Sequence, residues 1–128
     1  MEALMATKFR IPFKNAVIAK GLPTSGAGSA ESQPVRNGGL NGVNLWGTHK
    51  GVGVPTTGGY GMIALDGVVV TPVVITTTAV NENDPIYITA AQALSNQSAG
   101  NTLFGYADEP GAIGTVTIGV RISNAVGA

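Results

Sequence analysis

Residues 84–122 read DPIYITAAQALSNQSAGNTLFGYADEPGAIGTVTIGVRI, and the reading of this stretch decides the fold. Ile86–Thr89 is short, apolar and β-branched, as a strand would be. A polar excursion follows, then Thr102–Ala107, a Gly/Pro turn around Pro110-Gly111, and the alternating run Thr115–Ile122. β-Branched and aromatic side chains suit a pleated surface, and Gly, Pro, Asn and Asp clusters mark the turns between such runs. The only helical candidate inside the stretch is Thr89–Leu94, too short to stand without tertiary support.

Working toward the amino terminus, the same punctuation continues. Val68–Val80 is rich in Val, Ile and Thr, with Pro72 arguing for a bulge, a bend or an exposed edge. Asp66-Gly67 predicts a hairpin between residues 61–65 and that run. Asn37-Gly38-Gly39 and Asn41-Gly42 are turn signals around Leu40, Val43 and Leu45, and Val52 and Val54 alternate with glycines up to Pro55. Strands separated by frequent turns predict an all-β domain, a small barrel or sandwich of about six to seven short strands.

Ahead of this body, Met5–Lys20 interleaves apolar residues with single cations. Phe9, Ile11 and Phe13 alternate with Lys8, Arg10, Pro12 and Lys14, a strand period, while Pro12 removes a backbone donor. An extended N-terminal arm or an edge strand fits best. Gly21–Pro34, GLPTSGAGSAESQP, has little to bury and reads as a linker or long surface loop. The expected organisation is arm and linker over 1–34 and a β-rich body over 35–128.

Composition bounds the function. The chain has 128 residues and no cysteine, which excludes disulfides and thiolate metal sites. No secretory signal or apolar run of membrane-spanning length is present, so a soluble chain is expected. Only 11% of residues are charged, against about 25% in ordinary proteins, and net charge is zero. Such a domain must turn apolar and hydroxyl groups outward, which favours association with partners. Charge is also uneven: Lys8, Arg10, Lys14, Lys20, Arg36 and Lys50 outnumber Glu2 and Glu31 in the first fifty residues. Asp66, Glu82, Asp84, Asp108 and Glu109 outnumber Arg121 in the rest. The two parts could meet across subunits, the basic part could engage an acidic surface, or the imbalance could be scatter.

Material for catalysis is scarce. His49 is the only histidine, no Gly-x-Ser-x-Gly elbow occurs, and Ser25, Ser29 and Ser32 fall in the linker. Glu82, Asp84, Asp108 and Glu109 adjoin Pro85 and Pro110 and read as turn formers, with a weak divalent-ion site as the alternative. No glycine-rich loop ends in Gly-Lys-Ser/Thr, so a nucleotide-driven activity is rejected. The cations from Lys8 to Lys20 could grip a nucleic-acid backbone, but the acidic body would repel it. The sequence therefore predicts neither enzyme nor cofactor, metal, nucleic-acid or membrane partner. Trp46 is expected in the core, with an interface anchor as the alternative.

Three segments in order, Asn83-Asp84-Pro85-Ile86-Tyr87, Asn101-Thr102-Leu103-Phe104-Gly105-Tyr106-Ala107 and Thr115–Ile122, together with the opening Met5-Ala6-Thr7-Lys8-Phe9, carry a resemblance. Their order and spacing resemble the family of small tailed-bacteriophage proteins that decorate or cement the capsid, some of which are labelled phage recombinases. The resemblance implies a structural virion protein on the outer capsid surface, made in the bacterial cytoplasm. Its implied partners are the major capsid protein and further copies of itself, most simply a trimer. Stabilisation would come from multivalent contacts without catalysis. Lys8, Phe9, Arg10, Ile11, Pro12, Phe13 and Lys14 are the expected docking arm, adding a strand to a neighbouring sheet. A head–tail connector or tail-tube subunit, and a small ligand-binding or enzymatic barrel, remain as alternatives.

Overall fold

The Val/Ile/Thr run at the middle of the chain becomes the hub of the structure, a computed structural model that describes residues 9–23, 26–48 and 59–124. Ten strands occur among these residues: β1 Phe9–Ile11, β2 Ala16–Leu22, β3 Gln33–Asn37, β4 Leu40–Asn44, β5 Gly59–Ala64, β6 Val68–Ile75, β7 Pro85–Ile88, β8 Leu94–Ser95, β9 Thr102–Ala107 and β10 Gly114–Ile122. The all-β class is as expected, with more strands than the six or seven anticipated. Lys8, His49 and the Val52–Pro55 alternation lie outside the described residues.

The strands form two sheets, one ordered β1-β6-β10-β9-β7-β8 and the other β2-β5-β4-β3. In the larger sheet β8 returns to β6 through a single parallel pairing, Val74↔Ser95, so the sheet is partly ring-like without being a barrel. β6 alternates strictly from Val69 onward: Val69, Thr71, Val73 and Ile75 point inward and are buried, while Pro72 and Val74 are exposed. Its inward residues join Val43, Leu45, Ala64, Ile86, Phe104, Ile118 and Val120 in one core between the sheets. A second, smaller cluster of Ala19, Leu22, Val35 and Ile63 lies within the four-stranded sheet.

Several expectations change on contact with this topology. Asp66-Gly67 is a turn but not a hairpin, because β5 and β6 belong to different sheets. Its carboxylate binds the neighbouring crossover instead: Oδ1 accepts from the amides of Lys14 (2.6 Å) and Asn15 (3.1 Å), and Oδ2 from Asn15 Nδ2 (2.6 Å). The β1–β2 and β5–β6 crossovers are thereby stitched together, with Leu65 N also donating to Asn15 O at 2.8 Å. Gly67 has φ +95°, and a Cβ there would sit 2.7 Å from the Ile11 carbonyl oxygen, so the turn needs glycine.

Asn41-Gly42 is likewise no turn. Both residues are buried inside β4, where Asn41 Nδ2 donates to the carbonyls of Leu103 (2.8 Å) and Ser123 (2.9 Å) in the opposite sheet. Asn37-Gly38-Gly39 does close the β3–β4 hairpin, with Asn37 paired to Leu40 and Gly38 at φ +61°. Of the helical candidate Thr89–Leu94, residues 89–93 form a turn and Leu94 opens β8. Gln92 is left-handed (φ 67°) and its Oε1 accepts from Arg36 N at 2.6 Å, which pins the segment across to β3.

The arm, linker and body are not separate units among the described residues. β1 pairs antiparallel with β6 and β2 with β5, and Phe9 is 8% exposed within the main core. Leu22 is buried at the end of β2, and the 34/35 boundary falls inside β3. The physical reason is that period-two alternation serves an edge strand as well as an arm, and the core takes Phe9. Phe13 packs edge-on against Phe9, their ring centroids 5.4 Å apart.

Candidate interaction surfaces

The seven residues expected to dock on a partner are split by the fold. Phe9 faces the core and Phe13 is half-buried against it, while Ile11 is 52% exposed and Pro12 and Lys14 are also exposed. A register irregularity between Phe9 and Ile11 breaks the expected one-sided alternation. Ile11, Pro12 and Lys14 instead border a shallow hollow of about 290 Å³ with Gly67, Val68 and Ile122.

Arg10 reaches the acidic turn between β9 and β10. Its Nη2 lies 2.7 Å from Glu109 Oε2 and its Nη1 3.5 Å from Asp108 Oδ2. Arg121 approaches Asp108 Oδ1 at 3.3 Å and donates to Asn83 Oδ1 at 2.8 Å. The basic amino-terminal part and the acidic remainder therefore meet within one chain at this point. Glu109 Oε2 also accepts from Gly119 N at 2.7 Å; that bond, then the Arg10 guanidinium, holds its carboxyl below the usual range. The Arg10 guanidinium is raised by Glu109 in return. At Asp66, partial burial pushes the carboxyl up, but the donors of Lys14 and Asn15 outweigh it and the net direction is down.

This cluster is structural in form: each carboxylate is already occupied by donors from β1 or β10. Asp84 behaves as a turn former, accepting from Asn81 N at 2.8 Å. Among the described residues no group of three His, Cys, Asp or Glu side chains is placed to hold a metal ion.

The surface that stands out is the outward face of β6 and β10. Val70, Pro72 and Val74 lie opposite Gly119, Thr117 and Thr115 in unbroken register, and Thr76 and Ile113 follow beyond the strand ends. Val74 is 41% and Ile113 60% exposed, and Pro72, Thr76, Thr115 and Thr117 are exposed with them. None of these positions is charged. Solvent-facing strand positions ordinarily carry charges that resist edge and face pairing, and an apolar and hydroxyl face invites a partner. The sequence reasoning passed over this face. The absence of any Lys, Arg, Asp or Glu from residues 67–81 and 110–120 was its signal.

A second apolar group lies on the smaller sheet. Ile18 is exposed on β2 opposite Met62, and Tyr60, two residues before Met62 on β5, shares that face. Trp46 is 46% exposed at the end of β4, which corrects the expectation of a core tryptophan. Leu45, its neighbour, takes the core position and donates from its amide to Met62 O at 2.8 Å.

No protein-family model and no curated protein matches this sequence.

Proposed function

We propose that this chain is a structural component of a tailed-bacteriophage virion that binds the outer capsid surface and stabilises the shell as a small oligomer, most simply a trimer. The observation that carries the reading is the uncharged outward face of β6 and β10, whose strands include the Thr115–Ile122 segment of the resemblance. The Val, Pro, Thr and Ile side chains of this face desolvate at little cost, and the one ion beside it, the Arg10 guanidinium against Gly119, is already paired with Glu109. Repeated over the many copies on a shell, even a modest contact yields stable decoration by multivalency. The other two segments of the resemblance, in β7 and β9, build the ring behind this face and supply Ile86 and Phe104 to the core. Attachment by surface complementarity uses no catalytic group, and His49 and the Asp108–Glu109 turn need play no part in it.

The test is co-sedimentation with undecorated shells of the encoding phage, alongside sedimentation analysis of the purified protein. The wild-type chain should pellet with shells and run as an oligomer alone. The double variant Val74→Glu, Thr117→Glu should stay folded, because both side chains point to solvent, yet lose most shell binding. Retention of full binding by that variant removes β6–β10 as the contact, and a wild-type chain that ignores shells removes the reading itself.

A further inference from the structure

Among the described residues, three buried side-chain polar atoms have no hydrogen-bond partner, and all three are oxygens of one small region: Glu31 Oε2, Ser32 Oγ and Asn44 Oδ1. Here the strap of residues 28–32 is laced over the end of β4. Ser32 N donates to Asn44 O at 2.6 Å, and Thr48 N to Ser29 O at 2.9 Å. Asn44 Nδ2 donates to Gly28 O and to Thr48 Oγ1, both at 3.0 Å. The Gly28 carbonyl can only accept, so it fixes the orientation of the amide and leaves Oδ1 as the orphan. Asn44 is fully buried and Ser32 nearly so. Ser32 is held at φ +67°, a left-handed conformation that costs a serine energy and that gathers at ligand clamps. A Cβ on Gly47 would stand 3.5 Å from Glu31 N, so strap and strand end meet backbone to backbone. The Gly47 carbonyl oxygen and Asn44 Oδ1 lie 3.2 and 3.5 Å from where a Cβ would stand on Gly61, which sets a backbone oxygen near the amide oxygen.

We propose that Glu31, Ser32 and Asn44 bind a hard, calcium-sized cation through these oxygens, with the Gly47 carbonyl and water completing its shell. Buried polar groups without partners are costly, and a buried carboxylate oxygen is ordinarily paired with a cation or placed on a metal. No described Lys or Arg pairs with Glu31; the ion pairs belong to Arg10 and Arg121. A lone water could hydrogen-bond these oxygens but would leave the carboxylate charge uncompensated, whereas a cation does both. The donor set selects the ion. Carboxylate, amide, hydroxyl and carbonyl oxygens, with no nitrogen or sulfur, suit calcium, whose shell is irregular and flexible. Magnesium demands a near-ideal octahedron and holds its waters. With a single carboxylate the site is weak, with a Kd on the order of 10⁻⁴–10⁻³ M. It uses no residue of β6 or β10, so it stands or falls independently of capsid binding.

The test uses the full-length chain, stripped of metal with EDTA and dialysed. Calcium chloride at about 10 mM, roughly tenfold or more above Kd, should raise the melting temperature by about 5 °C through mass action on the folded state. Magnesium chloride at the same concentration, and sodium chloride at matched ionic strength, should give smaller shifts. Glu31→Gln keeps the size of the side chain and removes its charge. Without calcium it should melt no lower than the wild type, and it should lose the calcium shift. No calcium shift in the wild-type chain, an equal shift with magnesium or sodium, or an undiminished shift in Glu31→Gln overturns the proposal. Terbium, a luminescent stand-in of calcium's size, gives a readout that leaves every ligand intact. Trp46, the chain's only tryptophan, lies between Asn44 and Gly47 in sequence, so exciting its indole should light the bound ion. Calcium should extinguish that emission by displacement, and Trp46→Phe should remove most of it. Emission that is absent, that calcium does not displace, or that survives Trp46→Phe undiminished refutes the site.

Discussion

Replacing Asn41 with alanine tests the joint between the two sheets. Asn41 is buried in β4, yet its side chain reaches out of its own sheet. Nδ2 donates to Leu103 O and Ser123 O at 2.8 and 2.9 Å, and Oδ1 accepts from Arg36 Nη1 at 2.7 Å. Asn41→Ala leaves two carbonyls without this donor. Each buried polar group left unsatisfied costs about 1–3 kcal/mol, while the Arg36 guanidinium can turn to water at smaller cost. The expected loss is about 3 kcal/mol, a large part of the roughly 5–15 kcal/mol that holds a domain of this size. With a urea slope of about 1.5–2 kcal/mol per molar, the midpoint should fall by about 1.5–2 M with the slope unchanged. Urea unfolding followed by circular dichroism measures it. Asn41→Asp is the sharper control, since it keeps size and the Arg36 partner but cannot donate to carbonyls. An Asn41→Asp variant as stable as the wild type would refute the donor argument outright.

Three further outcomes follow from the same geometry. Gly105→Ala would push a Cβ into the Arg121 carbonyl across the β9–β10 pair, so the strands must part; a loss of about 2–4 kcal/mol in the same urea assay is expected, and a neutral result would show the pair can slide. The carboxyls of Glu109 and Asp66 are held low, so their contribution is complete above the ordinary carboxylate range and is lost as pH falls through their folded values; the melting temperature should drop below about pH 4, and drop less in Glu109→Gln with Asp66→Asn. Trp46→Ala should leave stability almost unchanged, because the ring is half in solvent, and a large destabilisation by thermal melt would place it in packing that its exposure denies.

The parts of this fold that depend on neighbours in sequence were legible, and the parts that depend on distant neighbours were not. Thr102–Ala107 and Thr115–Ile122 show themselves by alternation and by the Gly/Pro turn between them, and Asn37-Gly38-Gly39 by chemistry suited to a left-handed turn. Asn41-Gly42 carries the same local signal as a turn, but its use was settled by the carbonyls of residues 103 and 123, which no local pattern reveals. Gly42 then fits because the Ala64 carbonyl oxygen lies 2.5 Å from where a Cβ would be. At Asp66-Gly67 the turn was visible and the partner was not, since a hairpin and a crossover between sheets start with the same backbone reversal. Phe9 was ambiguous for a related reason: edge strand and docking arm share a period of two, and only the presence of an uncovered β6 beside it decides between them.

The interaction face was hidden by a different cause. Periodicity finds a buried side only when the other side is polar, and β6 offers Val70, Pro72 and Val74 outward against Val69, Thr71 and Val73 inward. Both sets are apolar or nearly so, and hydropathy cannot rank them. Pro72 fixes an edge rather than a face, because a proline paired in unbroken register with Thr117 must direct its missing donor away from β10. That places β10 on one edge and, among the described residues, only β1 and β8 at the two ends of the other, and β10 orients the rest: the buried Ile118 and Val120 face inward, which leaves Thr115, Thr117 and Gly119 outward. Once the outward set is known, its lack of charge stops being a compositional oddity of a chain with 11% charged residues and acquires a location. A shortage of charge spread evenly would lower solubility everywhere; concentrated on one ribbon, it marks a single face for burial by a partner.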